Sequence, residues 1–238
     1  WTDGLPAFFQ ERRGYDLLVA LPGLFYEGLG AARSRHDYWY TVTERFVEAY
    51  SRQAGEWCEA HGLAFTGHYL LENELGYAIQ RGGAMMPHYR YQHVPGIDML
   101  TEQTHENLTI KQCTSVANQC GRQRVLSETY GCTSWEFDFE GQKWVGDWQY
   151  ALGVNLRCQH LALYSIRGCR KRDFPPAFSY QNTWWKHNAV VEDYFARVGR
   201  VTTAGQAVRD VLVLHPVSTG WTLLGESAAS MARTNAYS

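Results

Sequence analysis

The sequence lacks the short motifs that identify several large enzyme classes. None of G-x-G-x-x-G, G-x-x-x-x-G-K-[ST], G-x-S-x-G or H-E-x-x-H occurs in its 238 residues. Their absence removes support for dinucleotide-binding, P-loop, α/β-hydrolase and zincin chemistry. The six cysteines contain no C-x-x-C pair, so neither a zinc knuckle nor a thioredoxin-type motif is indicated. We expect most of these cysteines to be buried free thiols.

An excess of charge of one sign is also missing. The 22 basic and 24 acidic side chains leave a formal charge of −2, which disfavours nucleic acid and anionic membranes as partners. No apolar run approaches the roughly 20 residues that cross a bilayer. The first residues show no basic segment followed by an apolar core, so no signal peptide is visible in the sequence. We expect a soluble protein of the cytoplasm or periplasm. Because it begins with Trp rather than Met, we expect it to be a piece of a longer polypeptide.

Aromatic residues, by contrast, are abundant. They make up 14% of the chain, with 9 Trp and 15 Tyr. Sugar rings stack well on aromatic faces, although protein cores and interfaces use aromatic residues equally. The composition is therefore compatible with a carbohydrate ligand without requiring one.

Short apolar runs alternate with segments that have helical periodicity. Helices are predicted over 41–60, 73–83, 104–120 and 142–152, and strands near 63–68, 97–100, 124–128 and 154–160. This order is typical of βα units with parallel strands buried on both faces. Four such strands are half of a (β/α)8 TIM-type barrel.

The predicted fold class is therefore α/β. We expect residues 1–203 to form the C-terminal half of the barrel, about strands 5–8, and residues 204–238 to begin a following domain or tail. A further strand is predicted at 208–216, where the sequence is VRDVLVLHP. Half a barrel has two open edges, which another chain, a missing segment of the same enzyme or a second copy must cover.

Glu128 is the strongest candidate for chemistry. It lies at the predicted C-terminal end of a buried strand, where barrel enzymes carry their active sites. A carboxylate there can act as a general base or as a nucleophile. An ion pair with an arginine at the barrel rim is the structural alternative.

Glu72 is the candidate for a second carboxylate. Glycoside hydrolysis uses two carboxyl groups, separated by about 5 Å in retaining enzymes and about 6.5–9.5 Å in inverting enzymes. Helix capping is an equally good explanation for the acidic residues around Asn73.

Further polar and aromatic residues are predicted to line a sugar subsite. The set consists of His68, Asp98, Trp148, His160 and Tyr164. The two histidines follow different strands and either converge on one pocket or serve the core. Asp98 can bind a cation or a hydroxyl group, or cap a turn. No clear metal ligand set is visible, and the basic run from Arg167 to Arg172 is interpreted as a rim loop rather than a phosphate or RNA site.

Several strings together resemble the bacterial α-L-rhamnosidase-like glycoside hydrolases. In chain order they are Arg12-Arg13-Gly14-Tyr15-Asp16-Leu17, Leu21-Pro22, Gly67-His68, Val94-Pro95-Gly96-Ile97-Asp98, Ser115-Val116-Ala117, Gly121-Arg122, Leu126-Ser127-Glu128, Gly146-Asp147-Trp148, Gly153-Val154-Asn155 and His160. The resemblance runs over most of residues 1–217.

The resemblance implies a catalytic (β/α)8 barrel within a longer multidomain enzyme that inverts the anomeric centre. It also implies a calcium ion at the sugar site and makes Glu128 the base that activates water. The acid in such barrels commonly follows the fourth strand, which our strand count places before Trp1. Either Glu72 takes that role, or the acid lies outside this chain.

We therefore predict a glycoside hydrolase that cleaves a terminal α-L-rhamnoside-like sugar with two carboxylates. One alternative is a retaining β-galactosidase-like barrel in which Glu128 is the nucleophile. The other is a carbohydrate-binding remnant that has lost its acid. In each case the partner is an oligosaccharide or glycoside.

Overall fold

A parallel β-sheet with helical connections defines the architecture. The computed structural model describes residues 2–28 and 30–238. Within these ranges the strands are β1 (Thr66–Gly67), β2 (Val94–Met99), β3 (Leu126–Thr129) and β4 (Leu156–Gln159). They form one sheet in the order β1-β2-β3-β4, and each neighbouring pair is parallel. The predicted α/β class is thus confirmed.

Helices fill most of the remaining sequence. The α-helices are α1 (Leu5–Arg13), α2 (Leu17–Ala20), α3 (Pro22–Phe25), α4 (Ala31–Phe46), α5 (Gln53–Ala60), α6 (Leu75–Gly82), α7 (Met86–Tyr89), α8 (Leu108–Gln119), α9 (Phe139–Leu152), α10 (Ala189–Thr202), α11 (Val217–Leu223) and α12 (Ala228–Asn235). A π-helix at Val47–Arg52 joins α4 to α5, and 3-10 helices lie at Gly168–Arg172 and Trp185–His187. No helix in the described ranges is both long enough and apolar enough to cross a membrane.

The chain divides into two compact units. The first consists of Trp1–Phe65, Tyr69–Tyr91 and Arg209–Ser238, and the second of Thr66–His68 and Gln92–Val208. The second unit contains the whole sheet. The predicted boundary at residue 204 stays a prediction.

The first unit is helical, and its described residues include two apolar clusters. One consists of Leu5, Phe9, Leu17 and Ala20, and the other of Trp39, Leu75, Ile79, Ala84, Trp221 and Leu224. The helix predicted from residue 41 begins at Ala31 instead. Ala31, Arg35 and Trp39 are buried at one-turn spacing. Because Arg35 is charged, the sequence shows no apolar periodicity over this part of the helix.

The second unit packs helices against one face of its sheet. α9 begins where the Asp138 side chain accepts a hydrogen bond from the Gly141 N–H (3.0 Å). It ends at Gly153, whose φ of 121° favours glycine. Gln149 of α9 donates a hydrogen bond to the hydroxyl of Thr129 in β3 (3.1 Å). This contact identifies the face of β3 that α9 covers.

The prediction of a strand at 208–216 is wrong, and the prediction of buried free thiols is wrong in part. Residues 208–216 form no strand; Leu212 and Leu214 are 91% and 87% exposed. The valines of this segment favour a strand, but the described residues provide no neighbouring strand, and a strand needs such a neighbour. All six cysteines are free, as expected, but only Cys113 is buried.

Candidate active site

Register places three side chains in a row across the sheet. Asp98 of β2 pairs with Glu128 of β3, which pairs with Cys158 of β4. Because paired residues in a parallel sheet point to the same face, these three share one face. Thr129 points to the opposite face and contacts α9. The carboxylates therefore lie on the face that α9 leaves uncovered.

Two histidines complete this cluster. His68 directly follows β1, and its Nε2 lies 3.5 Å from Glu128 Oε2 and 3.9 Å from Asp98 Oδ2. His160 directly follows β4, and its Nε2 lies 3.8 Å from Glu128 Oε1. Glu128 thus has an imidazole on each side. We call His68, Asp98, Glu128 and His160 the His-carboxylate cluster.

A close approach of two backbones positions His68. A Cβ atom on Gly96 would lie 2.5 Å from the carbonyl oxygen of Gly67, so only glycine fits there. The side chain of Gln92 links the same strands, since its Nε2 donates to the Gly67 carbonyl (3.0 Å) and its Oε1 accepts from the Gly96 N–H (3.1 Å). β1 is short, and these contacts hold its end beside β2.

Burial and neighbouring charges change the ionisation of Asp98 and Cys158. Burial raises the pKa of Asp98 above its usual range; the His68 imidazole acts in the opposite direction, and the Glu128 charge adds to the increase. Burial and the Glu128 charge also raise the pKa of the Cys158 thiol. Asp98 is therefore suited to hold a proton, whereas Cys158 is poorly suited to act as a thiolate nucleophile.

The loops after the strands carry strained backbone. Thr101 (φ 67°), Tyr130 (φ 76°), Cys132 (φ 62°) and Phe174 (φ 43°) all adopt positive φ in the loops that follow β2, β3 and β4. Such conformations cost about 1–3 kcal/mol each and concentrate at functional sites. The strain lies at the same edge of the sheet as the His-carboxylate cluster.

Three members of the cluster have metal-ligand spacing. One atom from each of His68, Asp98 and Glu128 lies within 4.8 Å of the others. Calcium prefers six to eight oxygen ligands, and here one of three donors is an imidazole nitrogen, which suits transition metals. This donor set does not fit calcium. The calcium implied by the resemblance stays a prediction that these three residues do not support.

The remaining predicted site residues lie outside the cluster. Glu72 belongs to the first unit, where it is 3% exposed and its Oε1 accepts hydrogen bonds from the Tyr69 N–H (3.0 Å) and the Tyr89 hydroxyl (2.5 Å). Trp148 lies on α9, behind the opposite face of the sheet. Tyr164 follows β4 and is 99% exposed. Their roles stay predictions.

Sequence reasoning missed Cys158 and the loop residues Cys132 and Phe174. Alternation along β4 was the available signal for Cys158, because it points to the same face as residue 156. The Phe174 ring packs edge-on against His160, with centroids 5.8 Å apart. Phe174 is 14 residues beyond His160 in the chain, and no local pattern predicts that contact.

Comparisons with known proteins agree on a glycosidase relationship. A glycoside hydrolase family 106 model, described as alpha-L-rhamnosidase, matches residues 1–237. A "Putative beta-glucuronidase" of Formosa agariphila is 26% identical over 223 residues, which are 90% of this chain and 18% of the relative. A rhamnosidase structure from Novosphingobium sp. PP1Y has a TM-score of 0.68 at 21% identity, over 87% of this chain and 21% of that one. The chain thus spans about a fifth of the length of these proteins.

Proposed function

Because the chain belongs to glycoside hydrolase family 106, described as the alpha-L-rhamnosidase family, we propose that it forms part of the catalytic barrel of an enzyme that hydrolyses terminal α-L-rhamnosides. The four parallel strands would be strands 5–8 of a (β/α)8 barrel. The carrying observation is the His-carboxylate cluster at the C-terminal ends of these strands, where such barrels hold substrate.

In this proposal Glu128 is the general base. A water molecule attacks the anomeric carbon and gives one proton to the Glu128 carboxylate. A second carboxyl group donates a proton to the glycosidic oxygen as its bond to the anomeric carbon breaks. The products are the free sugar, with an inverted anomeric centre, and an alcohol. His68, Asp98 and His160 bind the sugar hydroxyls, and exposed Tyr164 stacks on the leaving sugar.

The second carboxyl group has two candidates. The first is Glu72, and the second is a carboxylate from a part of the longer enzyme outside this chain. A general acid must reach the glycosidic oxygen. Glu72 is buried and hydrogen-bonded to Tyr69 and Tyr89, which favours the second candidate.

A panel of nitrophenyl glycosides tests the proposal. The unsubstituted chain and the Glu128→Gln variant are incubated with nitrophenyl α-L-rhamnoside, β-D-galactoside and β-D-glucuronide, both alone and within the longer enzyme. We expect rhamnoside hydrolysis that falls about 10²–10⁴-fold in Glu128→Gln, the usual contribution of a general base. Glu140→Gln, an exposed carboxylate at the start of α9, is the matched control.

Two outcomes contradict the proposal. Equal rates in Glu128→Gln and Glu140→Gln would remove Glu128 from catalysis. Hydrolysis of only the glucuronide or the galactoside would reject rhamnose as the glycone. Proton NMR of the first product formed from the rhamnoside establishes whether the anomeric centre is inverted.

A retaining mechanism is the second candidate, and one distance favours it. An oxygen of Asp98 lies within 4.8 Å of one of Glu128, near the separation of about 5 Å in retaining enzymes. Asp98, with its raised pKa, would be the acid and Glu128 the nucleophile. A fluorinated sugar that becomes covalently attached to Glu128, detected by peptide mass spectrometry, would establish this alternative over the inverting one.

The sheet face that carries the His-carboxylate cluster also indicates what the chain binds to. Leu156 of β4 shares this face and is 37% exposed. We propose that the rest of the barrel, from the longer enzyme, covers it, with a second copy as the alternative. Analytical ultracentrifugation tests this alternative. A dimer formed by the isolated chain but not by the longer enzyme would show that a second copy replaces the missing part of the barrel.

The remaining alternative is a non-catalytic remnant. Sugar binding by the longer enzyme without turnover, undiminished by Glu128→Gln, would identify it.

A further inference from the structure

Four cationic side chains lie together in the loop after β4. Arg167, Arg170, Lys171 and Arg172 are all exposed. With the adjacent Asp173 they carry a net charge of three positive in a chain whose formal charge is −2. Among the described residues no carboxylate lies within 4.0 Å of these cationic groups. Internal ion pairing therefore does not account for this basic loop.

The basic loop is attached to the His-carboxylate cluster. The indole N–H of Trp135, in the loop after β3, donates a hydrogen bond to the Lys171 carbonyl (3.0 Å). Phe174 packs against His160, and His160 lies 3.8 Å from Glu128. One ring contact and one imidazole–carboxylate contact thus connect the end of the basic loop to the proposed base.

The thiol of Cys132, in the loop after β3, is affected by charges of both regions. After burial, the charges of Asp98 and Asp173 both raise the pKa of Cys132. The geometric link between the two regions is Phe174, which follows Asp173 in the chain and packs against His160 of the cluster. The basic loop therefore borders the proposed sugar site.

We propose that the basic loop binds an anionic group, a carboxylate or a sulfate ester, on the sugar next to the one that is cleaved. Guanidinium groups bind such anions through paired hydrogen bonds. Phe174 is 51% exposed and offers an apolar face on which the same sugar can rest. The inference rests on the proposed function and narrows its substrate class to acidic glycans.

Binding of matched disaccharides tests the inference. The probes are α-L-rhamnosyl-galacturonic acid, its neutral methyl ester, and an α-L-rhamnosyl-galactose with and without a sulfate ester. Affinities are measured by calorimetry in the Glu128→Gln background, so that no probe is hydrolysed. We expect one of the two anions to bind about tenfold more tightly than its neutral counterpart, which is the effect of one charge-assisted hydrogen-bond pair. The advantage should shrink as salt is added.

The control separates local from general charge effects. Arg170→Gln with Arg172→Gln should abolish the advantage of the anionic probe, whereas Arg197→Gln with Arg200→Gln, on exposed positions of α10, should preserve it. The carboxylate and sulfate pairs show which anion is recognised. Equal affinity for charged and neutral probes, or equal losses in both double variants, would overturn the inference.

Two further probes separate this inference from the proposed function. If digalacturonate, which lacks rhamnose, binds as tightly as the rhamnosyl acid, the rhamnose glycone is wrong while the anion site stands. If a neutral rhamnoside binds and the corresponding acidic disaccharide binds no more tightly, the anion site is wrong while the proposed function stands. A uridine oligonucleotide that binds more tightly than every sugar would overturn the inference in favour of nucleic acid.

Discussion

The imidazole of His68 lies 3.5 Å from the carboxylate of Glu128, measured from Nε2 to Oε2. His68 follows β1 and Glu128 lies in β3, so this contact reaches across the strand between them, β2. Asp98 of that strand lies 3.9 Å from the same nitrogen. One imidazole therefore lies close to two carboxylates that come from different strands.

Removing this imidazole should weaken catalysis more than stability. We expect His68→Ala to lower kcat/KM of the longer enzyme for a rhamnoside about 10- to 100-fold, because the imidazole lies beside both carboxylates and a small misplacement of catalytic groups costs up to about 10²-fold. His187→Ala, at another exposed histidine of the second unit, should leave kcat/KM unchanged. Unchanged kinetics in His68→Ala would remove His68 from the site.

Gly96 is expected to tolerate no side chain. In Gly96→Ala the new methyl group would meet the Gly67 carbonyl oxygen at 2.5 Å, and backbone must move to relieve the contact. Overpacking of this kind costs about 1–3 kcal/mol. Urea unfolding should show this loss, and sugar binding should weaken because His68 moves with β1.

Gly205→Ala is the matched control for that substitution. A Cβ atom there would meet nothing within 4 Å, so the free energy of unfolding should stay within about 0.5 kcal/mol of the parent. If Gly96→Ala unfolds at the same urea concentration as Gly205→Ala, the close approach of β1 and β2 is not as described.

Much of the cluster was predictable from the sequence. Parallel strands bring their C-terminal ends to one edge of a sheet, so the sequence placed His68, Asp98, Glu128 and His160 at that edge. It left open whether the two histidines converge on one pocket or serve the core, and the structure brings both close to Glu128. Gln159 shows the limit of this reasoning. It precedes His160 in the chain, yet its side chain points to the other face and donates to Glu192 of α10 (2.7 Å), because strand residues alternate.

Long-range contacts were not predictable in the same way. β1 spans two residues although the apolar run is longer, because a strand extends only as far as its neighbour pairs with it. Val211 and Val213 have high β-propensity and remain outside any strand for the same reason. Secondary-structure propensity depends on neighbouring residues in the sequence, whereas the hydrogen-bonding partners of a strand come from distant parts of the chain.

A buried arginine on the helix-facing side of the sheet gives a stability prediction. The Arg157 side chain is 3% exposed, donates to Glu192 (2.8 Å) and to the Tyr130 hydroxyl (3.0 Å), and lies over the Phe195 ring. Arg157→Met keeps the apolar stem and loses both hydrogen bonds. We expect a loss of about 2–3 kcal/mol in urea unfolding.

An exposed arginine provides the comparison. Arg200→Met, on α10, should change the free energy of unfolding by less than about 0.5 kcal/mol. A loss in Arg157→Met no larger than in Arg200→Met would mean that the buried ion pair merely offsets its own desolvation cost.

His88 predicts how the first unit responds to acid. It is fully buried; its Nε2 donates to the Gly82 carbonyl (3.0 Å), and its Nδ1 accepts from the Ser51 hydroxyl (2.7 Å). Burial lowers the pKa of His88 below its usual value of about 6.5. Below that value the unfolded chain therefore binds a proton that the folded chain does not, and stability falls with decreasing pH by up to about 1.4 kcal/mol per pH unit.

Thermal unfolding between pH 7.5 and 5 measures this contribution of His88. The melting temperature of the parent should be constant above pH 7 and fall below about pH 6.5, whereas His88→Gln, although less stable, should show a smaller fall because it binds no proton there. His61→Gln, at an exposed position of the same unit, is the matched control and should keep the parental slope, because it leaves the buried imidazole of His88 in place. Parallel slopes for His88→Gln and the parent would place the acid sensitivity in other groups.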